Sequence, residues 1–177
     1  MSEPIPACIS IGGKLTWKLV PQLCESIQAD GLSLEWGDAL FRPKTADELM
    51  ESCRDEEGIN VLWLCDDQAN WGRLPNLEDF LTKVGKLPFD LRSDGKLGFD
   101  PDVIFYRPGQ QPVQITTNAQ GNSVIVAELL APIVKMLAKA ASAKQKQAWQ
   151  TGAQRALKRL QAVLPPAITP LPPFEIA

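Results

Sequence analysis

The acid pair Asp66-Asp67 is the most chemically suggestive feature of this sequence. It follows Asn60-Val61-Leu62-Trp63-Leu64-Cys65, a run apolar enough to form a strand covered on both faces. Ligands in α/β folds gather beyond the carboxyl ends of strands. Two carboxylates there suit Mg²⁺, which takes one or two acidic oxygens and keeps water elsewhere in its shell. Asp94, Asp100 and Asp102 stand on later turns as candidates for a third acid. The plainer reading is that both aspartates end a strand and are solvated. The stretch DDQANWGRLP, residues 66–75, adds Trp71 and Arg73, two residue types enriched where proteins grip partners. Trp71 can equally fold back over the helix that follows. Arg73 or Arg107 would steady an anionic substrate beside such a metal.

Other chemistries are excluded or incomplete. The chain has no histidine, which removes Ser-His-Asp and Cys-His catalysis and histidine-based metal sites. Cys8, Cys24, Cys53 and Cys65 show no C-x-x-C spacing, so a Cys₄ zinc site is disfavoured and reduced, packed thiols are expected. Carboxylates beside Cys65 should raise its pKa and make it a poor nucleophile. Gly12-Gly13-Lys14-Leu15-Thr16 lies where phosphate loops occur. However, Cys8 replaces the first glycine of G-x-x-x-x-G-K-[ST], and Leu15 replaces the hydroxyl after the lysine. Pro101-Asp102 before an apolar strand suits the first acid of a metal-dependent nuclease, but Gln114-Ile115-Thr116 stands where an acid-x-Lys would have to follow.

The elements that must position these groups are legible from periodicity. Ala7 to Ile11 alternates as a strand, and Gly12-Gly13 ends it. Thr16 to Ala29 carries Trp17, Val20, Leu23, Cys24 and Ile27 on a helical stripe, with Pro21 either starting the helix or bending it. Gly31 should cap it, and Leu32 to Trp36 alternates as a second strand. Thr45-Ala46-Asp47-Glu48 is a capping box for a short helix to about Cys53. After the strand 60–65, Asn76 should cap a helix bearing Leu77, Phe80, Leu81 and Val84, which Gly85 ends. Strands follow at Leu87–Leu91, Val103–Tyr106 and Val113–Thr116, the first two joined by an Asp94-Gly95 hairpin turn. Residues 123–164 read as helix, broken at Pro132 and Gly152. A proline-rich tail is either loose or laid along a groove.

The expected fold is α+β. Two strand-helix-strand units, 7–36 and 60–91, share one sheet in a ferredoxin-like or related sandwich, with a helical C-terminal segment. The expected divisions are a core at 1–122, a helical segment at 123–164 packing on the core or on a partner, and an extended tail at 165–177. Charge follows the same division. Residues 1–122 hold 11 Lys/Arg against 19 Asp/Glu, net −8, while 123–177 hold 7 against 2, net +5. Overall acidity argues against nucleic-acid binding, and the basic segment reads as a solvated or self-packing helix. No apolar run reaches the ~18–20 residues of a membrane span, and the start MSEPIPACISIGG lacks a signal peptide's basic region and apolar core, so a cytoplasmic protein is expected. The functional expectation is a non-catalytic binding or adaptor protein without cofactor, self-associating through its C-terminal helix. The rival is a Mg²⁺-dependent hydrolase using Asp66 and Asp67 as metal ligands.

Overall fold

The computed structural model describes residues 4–96, 98–118, 120–143 and 145–177. The protein is α+β, and its chain divides into two compact units. The first comprises residues 1–122 together with 169–177; the second is 123–168.

The first unit is built on a six-stranded, wholly antiparallel sheet. In chain order its strands are β1 (Ala7–Ile11), β3 (Cys53–Glu56), β4 (Ile59–Asp66), β5 (Phe89–Ser93), β6 (Asp102–Tyr106) and β7 (Val113–Thr116). They lie side by side as β3-β4-β1-β5-β6-β7. A separate short pair joins β2 (Gly13–Leu15) in parallel with β8 (Phe174–Ile176). The helices are α1 (Val20–Asp30), α2 (Ala46–Glu51) and α3 (Pro75–Asp79), the last running on as a π-helical turn through Phe80–Val84. Because β4 and β5 both run antiparallel to β1, which separates them, β4–α3–β5 is a split strand-helix-strand unit. The core fills one sheet face, where Ile9, Ile11, Leu62, Leu64, Phe89 and Leu91 meet Leu23 and Ile27 of α1 and Leu77 and Leu81 from α3 and its π turn.

Several expectations are corrected by packing. Leu32–Trp36 is not a strand. Ser33 makes an isolated bridge to Cys65, after which Gly37, at φ 76°, turns the chain away. Only one of the two expected strand-helix-strand units is therefore complete. The helix after β1 begins at Val20 with Pro21 in its first turn, which leaves Trp17 outside the stripe and exposed. Gly31 caps it in the left-handed conformation, as expected.

Asn76 does not cap α3. That role falls to Asp30 at the end of α1, whose carboxylate accepts from the Asn76 and Leu77 amides and from Asn76 Nδ2. The π turn inserts extra backbone into the helical repeat, so Val84 rotates out to solvent while Phe80 and Leu81 stay buried. Asp94-Gly95 is no tight hairpin either. Residues 94–101 form a longer connection pinned by a Lys96–Phe99 bridge, and Gly95 lacks the positive φ a two-residue turn of that kind demands.

The tail is laid down along the first unit. The Gly13 amide donates to the Pro172 and Pro173 carbonyls, and Phe174 is buried. Any Cβ on Gly12 would overlap the Pro172 carbonyl oxygen, so this crossing requires glycine.

The second unit is a pair of helices, α4 (Ala127–Ala141) and α5 (Lys146–Val163). Neither expected break interrupts them. Pro132 sits inside α4, six residues in, and Gly152 sits inside α5, where it is a contact point. A Cβ there would lie 2.7 Å from the Ala140 Cβ. The helices touch through Ile133 and Ala140 on one side and Ala156 on the other, all buried. No described helix is long and apolar enough to cross a membrane.

Candidate functional site

Alternation along a strand sends every second side chain to the sheet face opposite the core. On β1 those are Cys8 and Ser10; on β4, Val61, Trp63 and Cys65; on β3, Arg54 and Glu56; on β5, Asp90 and Arg92. Ten of these and neighbouring residues, with Pro170 and Leu171 of the tail as one wall, line a concavity of about 490 Å³.

Four of its polar side chains, Ser10, Arg54, Glu56 and Asp90, are held by partners. The Ser10 hydroxyl donates to Glu56 Oε2 at 2.7 Å. Arg54 donates to Glu56 Oε1 through both Nε and Nη2, while its guanidinium lies 3.6 Å over the Trp63 ring. Asp90 accepts from Arg107 Nη1 at 2.7 Å. The Arg92 side chain adds a positive charge that acts on both Cys8 and Asp90.

Such a lining is suited to holding a ligand more than to transforming one. The Glu56 carboxylate is occupied on both oxygens, by Arg54 on Oε1 and by the Ser10 hydroxyl on Oε2. Burial pushes the Cys8 thiol above its usual pKa, against the opposing pull of Arg92, so little thiolate is present at neutral pH. Asp90 is also raised by burial, and Arg107 only partly offsets this.

The residues singled out from sequence lie elsewhere. Sheet register places Asp66 in one row with Ala7, Ser93 and Asp102, and places Tyr106, just before Arg107, in another with Phe89, Ile11 and Leu62. Four residues along a strand separate these rows by roughly 13 Å. Asp66 and Arg107 therefore occupy opposite ends of the sheet, and the candidate residues do not converge.

Asp66 Oδ1 accepts from the Gln68 amide, and burial raises its carboxyl despite that bond. Asp67 Oδ2 accepts from the Gly37 amide at 2.8 Å, fastening the loop after Ser33. Both are thus engaged as loop-fixing acceptors. Among the described residues no three of Cys, Asp and Glu come close enough to form a metal cluster. Asp102 accepts from Ser93 and from the Gln114 amide side chain, which stands where a second acid would be needed.

Trp71 adopts φ 57° and packs edge-on against Phe99 with ring centres 4.9 Å apart, half-exposed. Arg73 is paired with Glu78, whose Oε1 also accepts from the Leu74 amide. Compared with known protein families, with curated proteins and with solved structures, this chain matches none.

Arg107 is the most heavily engaged of the five. It is buried, and its Nη1 faces the Phe89 and Tyr106 carbonyls as well as Asp90. Its Nε donates to the Thr169 carbonyl at 2.8 Å. It ties the tail to two strands, a structural role in place of the anion-binding one expected. The thiols meet expectation in direction. Cys65 is pushed up to about 12, with burial the larger cause and Asp67 the next.

Sequence reasoning passed over Cys8, Ser10, Arg54, Glu56 and Arg92. Alternation in Ala7–Ile11 does mark Cys8 and Ser10 as facing away from Ile9. No local signal says that Arg54 and Arg92 arrive beside them, because that follows from sheet order.

Proposed function

We propose that this chain is a non-catalytic binding protein that self-associates through the helical pair of its second unit, the partner being a second copy. The observation that carries this is an apolar helix face left open. Val134 is 61% exposed and Leu137 43% on α4; Leu157 is 54% and Leu164 43% at and just beyond α5. Leu130, Val134, Leu137, Ala138 and Ala141 recur at helical spacing and form a stripe free of charge. With Ile133 and Ala140 turned toward Ala156, antiparallel geometry puts Leu157 and Leu164 on the same side as Val134 and Leu137.

Lys139 and Arg155 lie on the other side, around a shallow depression that also includes Met136 and Ala148. Residues 123–168 hold seven Lys/Arg against one Glu. Two copies meeting through the α4 stripes bury apolar surface and keep the faces that carry Lys139 and Arg155 apart. The product is a four-helix bundle, which supplies the core that two helices alone lack. The engagement of Ser10, Arg54, Glu56 and Asp90 with partners in the sheet-face concavity supports the non-catalytic part of the reading. We also read β4–α3–β5 as one half of a ferredoxin-like plan whose other half has lost its second strand.

Sedimentation-velocity centrifugation of the full chain tests the proposal. The expected result is a dimer that Val134→Glu with Leu137→Glu converts to a folded monomer. A wild-type chain that sediments as a monomer at tens of micromolar refutes it.

A further inference from the structure

Two of the four cysteines stand directly opposite each other across neighbouring strands. Cys8 of β1 is the register partner of Cys65 of β4. The backbone bonding around them fixes what kind of pair this is. Cys65 exchanges both of its backbone hydrogen bonds with Ser33, at 2.8 and 2.9 Å, on the edge of β4 away from β1. The residues beside Cys8 show the same phase. The Pro6 carbonyl accepts from Asp94, and the Gly12 amide donates to Pro88, so even-numbered β1 residues bond toward β5. Cys8 and Cys65 are therefore a non-hydrogen-bonded pair, the closer of the two antiparallel pair types, with Cα atoms about 4.5 Å apart. A disulfide accepts Cα separations of roughly 4.4–6.8 Å. Cys24 lies on α1, and Cys53 stands opposite Leu62, so neither faces a cysteine in the sheet register.

We propose that Cys8 and Cys65 form a reversible cross-strand disulfide on exposure to a low-molecular-weight disulfide such as oxidised glutathione. Cys8 is half-buried and lines the sheet-face concavity, so it meets the oxidant first, whereas Cys65 is buried. The Cys8 thiol loses its proton to solvent, and its sulfur attacks one sulfur of the oxidant, releasing one glutathione thiol. Cys65 then loses its proton and attacks the Cys8 sulfur of the mixed disulfide, releasing the second. Two protein thiols become one disulfide, and one oxidised glutathione becomes two reduced ones. Cys65 gives up its weak bond to the Ser33 carbonyl as its sulfur turns toward Cys8. Both thiols are raised by burial, and Arg92, Asp94, Glu56 and Arg54 face Cys8 while Asp67, Asp66 and Arg54 face Cys65. The pair is thus stable as thiols in glutathione-reduced surroundings and slow to exchange.

The four cysteines fall on four different tryptic peptides, 1–14, 19–44, 45–54 and 55–73, so mass spectrometry reads the pairing directly. The folded full-length chain is incubated in oxidised glutathione, acid-quenched, alkylated and digested without reductant. The expected result is loss of two alkylatable thiols, a linked 1–14/55–73 peptide and its disappearance on adding dithiothreitol. Cys8→Ser abolishes the linkage, and a Cys24→Ser/Cys53→Ser double variant keeps it. Four thiols surviving oxidation overturns the proposal, as do linked peptides that contain Cys24 or Cys53 in place of this pair. Should Cys65→Ala fail to fold, the wild-type peptide map still decides.

Discussion

Replacing Arg107 by methionine tests whether one buried guanidinium holds the tail onto the sheet. The substitution keeps most of the aliphatic volume and removes every donor. The Thr169, Phe89 and Tyr106 carbonyls lose a partner, and Asp90, mostly buried, keeps a carboxylate that has lost its hydrogen-bonded ion-pair partner and has only the charge of Arg92 to offset it. Breaking a buried pair from one side costs about 3–5 kcal/mol. For a chain of this size each kcal/mol moves the melting midpoint by about 2–4 °C, so a fall of roughly 6–20 °C is expected.

The effect has a pH signature. Burial already holds Asp90 above its ordinary pKa in the fold, even with Arg107 present. An acid raised on folding favours the native state when protonated, so its contribution is largest below about pH 4 and is lost as pH rises through the folded value. Without Arg107 the folded value climbs further. The destabilisation is therefore full at pH 7 and shrinks toward pH 4 as Asp90 takes up its proton. Urea denaturation of wild type, Arg107→Met, Asp90→Asn and the double variant at pH 7 and pH 4.5 measures it. A loss below 1 kcal/mol at pH 7 refutes the reasoning. So does a loss that is the same at both pH values, or a double variant no more stable than Arg107→Met.

Gly12→Ala should displace the tail, because its methyl group overlaps the Pro172 carbonyl; limited proteolysis then cuts within 164–177 faster than in wild type. Asp30→Ala removes the acceptor for three α3 donors and should cost about 1–2 kcal/mol in thermal unfolding, as loss of a helix cap does. With Asp66 and Asp67 engaged by backbone amides, millimolar Mg²⁺ should raise the melting midpoint no more in wild type than in an Asp66→Asn/Asp67→Asn variant; a wild-type-specific rise supports the metal-hydrolase reading instead. Iodoacetamide on the folded chain should label Cys8 well before Cys65, since Cys65 is buried and its thiol is held near 12; equal labelling rates at pH 8 contradict that environment.

Local periodicity made much of the framework legible. The alternation of Ala7–Ile11, the apolar run to Cys65 and the strands ending at Tyr106 and Thr116 lie where pattern puts them, because each is held by its own hydrophobic spacing. What failed depended on distant partners. Leu32–Trp36 has strand alternation but finds the edge of β4 free for one bridge at Cys65. Asn76 looks like a cap, yet a carboxylate 46 residues away takes the position. Pro132 and Gly152 look like breaks. Gly152 is instead demanded by the close approach of Ala140, which no scan of a single helix contains. The candidate site was misread for the same reason. The acids that stand out in sequence are tied to backbone amides, while Ser10, Arg54 and Glu56 gain meaning only when three strands are laid side by side.

The parallel pairing of Gly13–Leu15 with Phe174–Ile176 also sets a schedule for biosynthesis. The two segments are 161 positions apart, from residue 13 to residue 174. At roughly 5–20 residues per second, a ribosome exposes the first for about 8–30 s before it makes the second. During that interval the site awaiting Phe174 stands open in the apolar cluster. A nascent chain that has already formed the six-stranded sheet is therefore sticky until the tail arrives, a window in which a holding chaperone has something to cover.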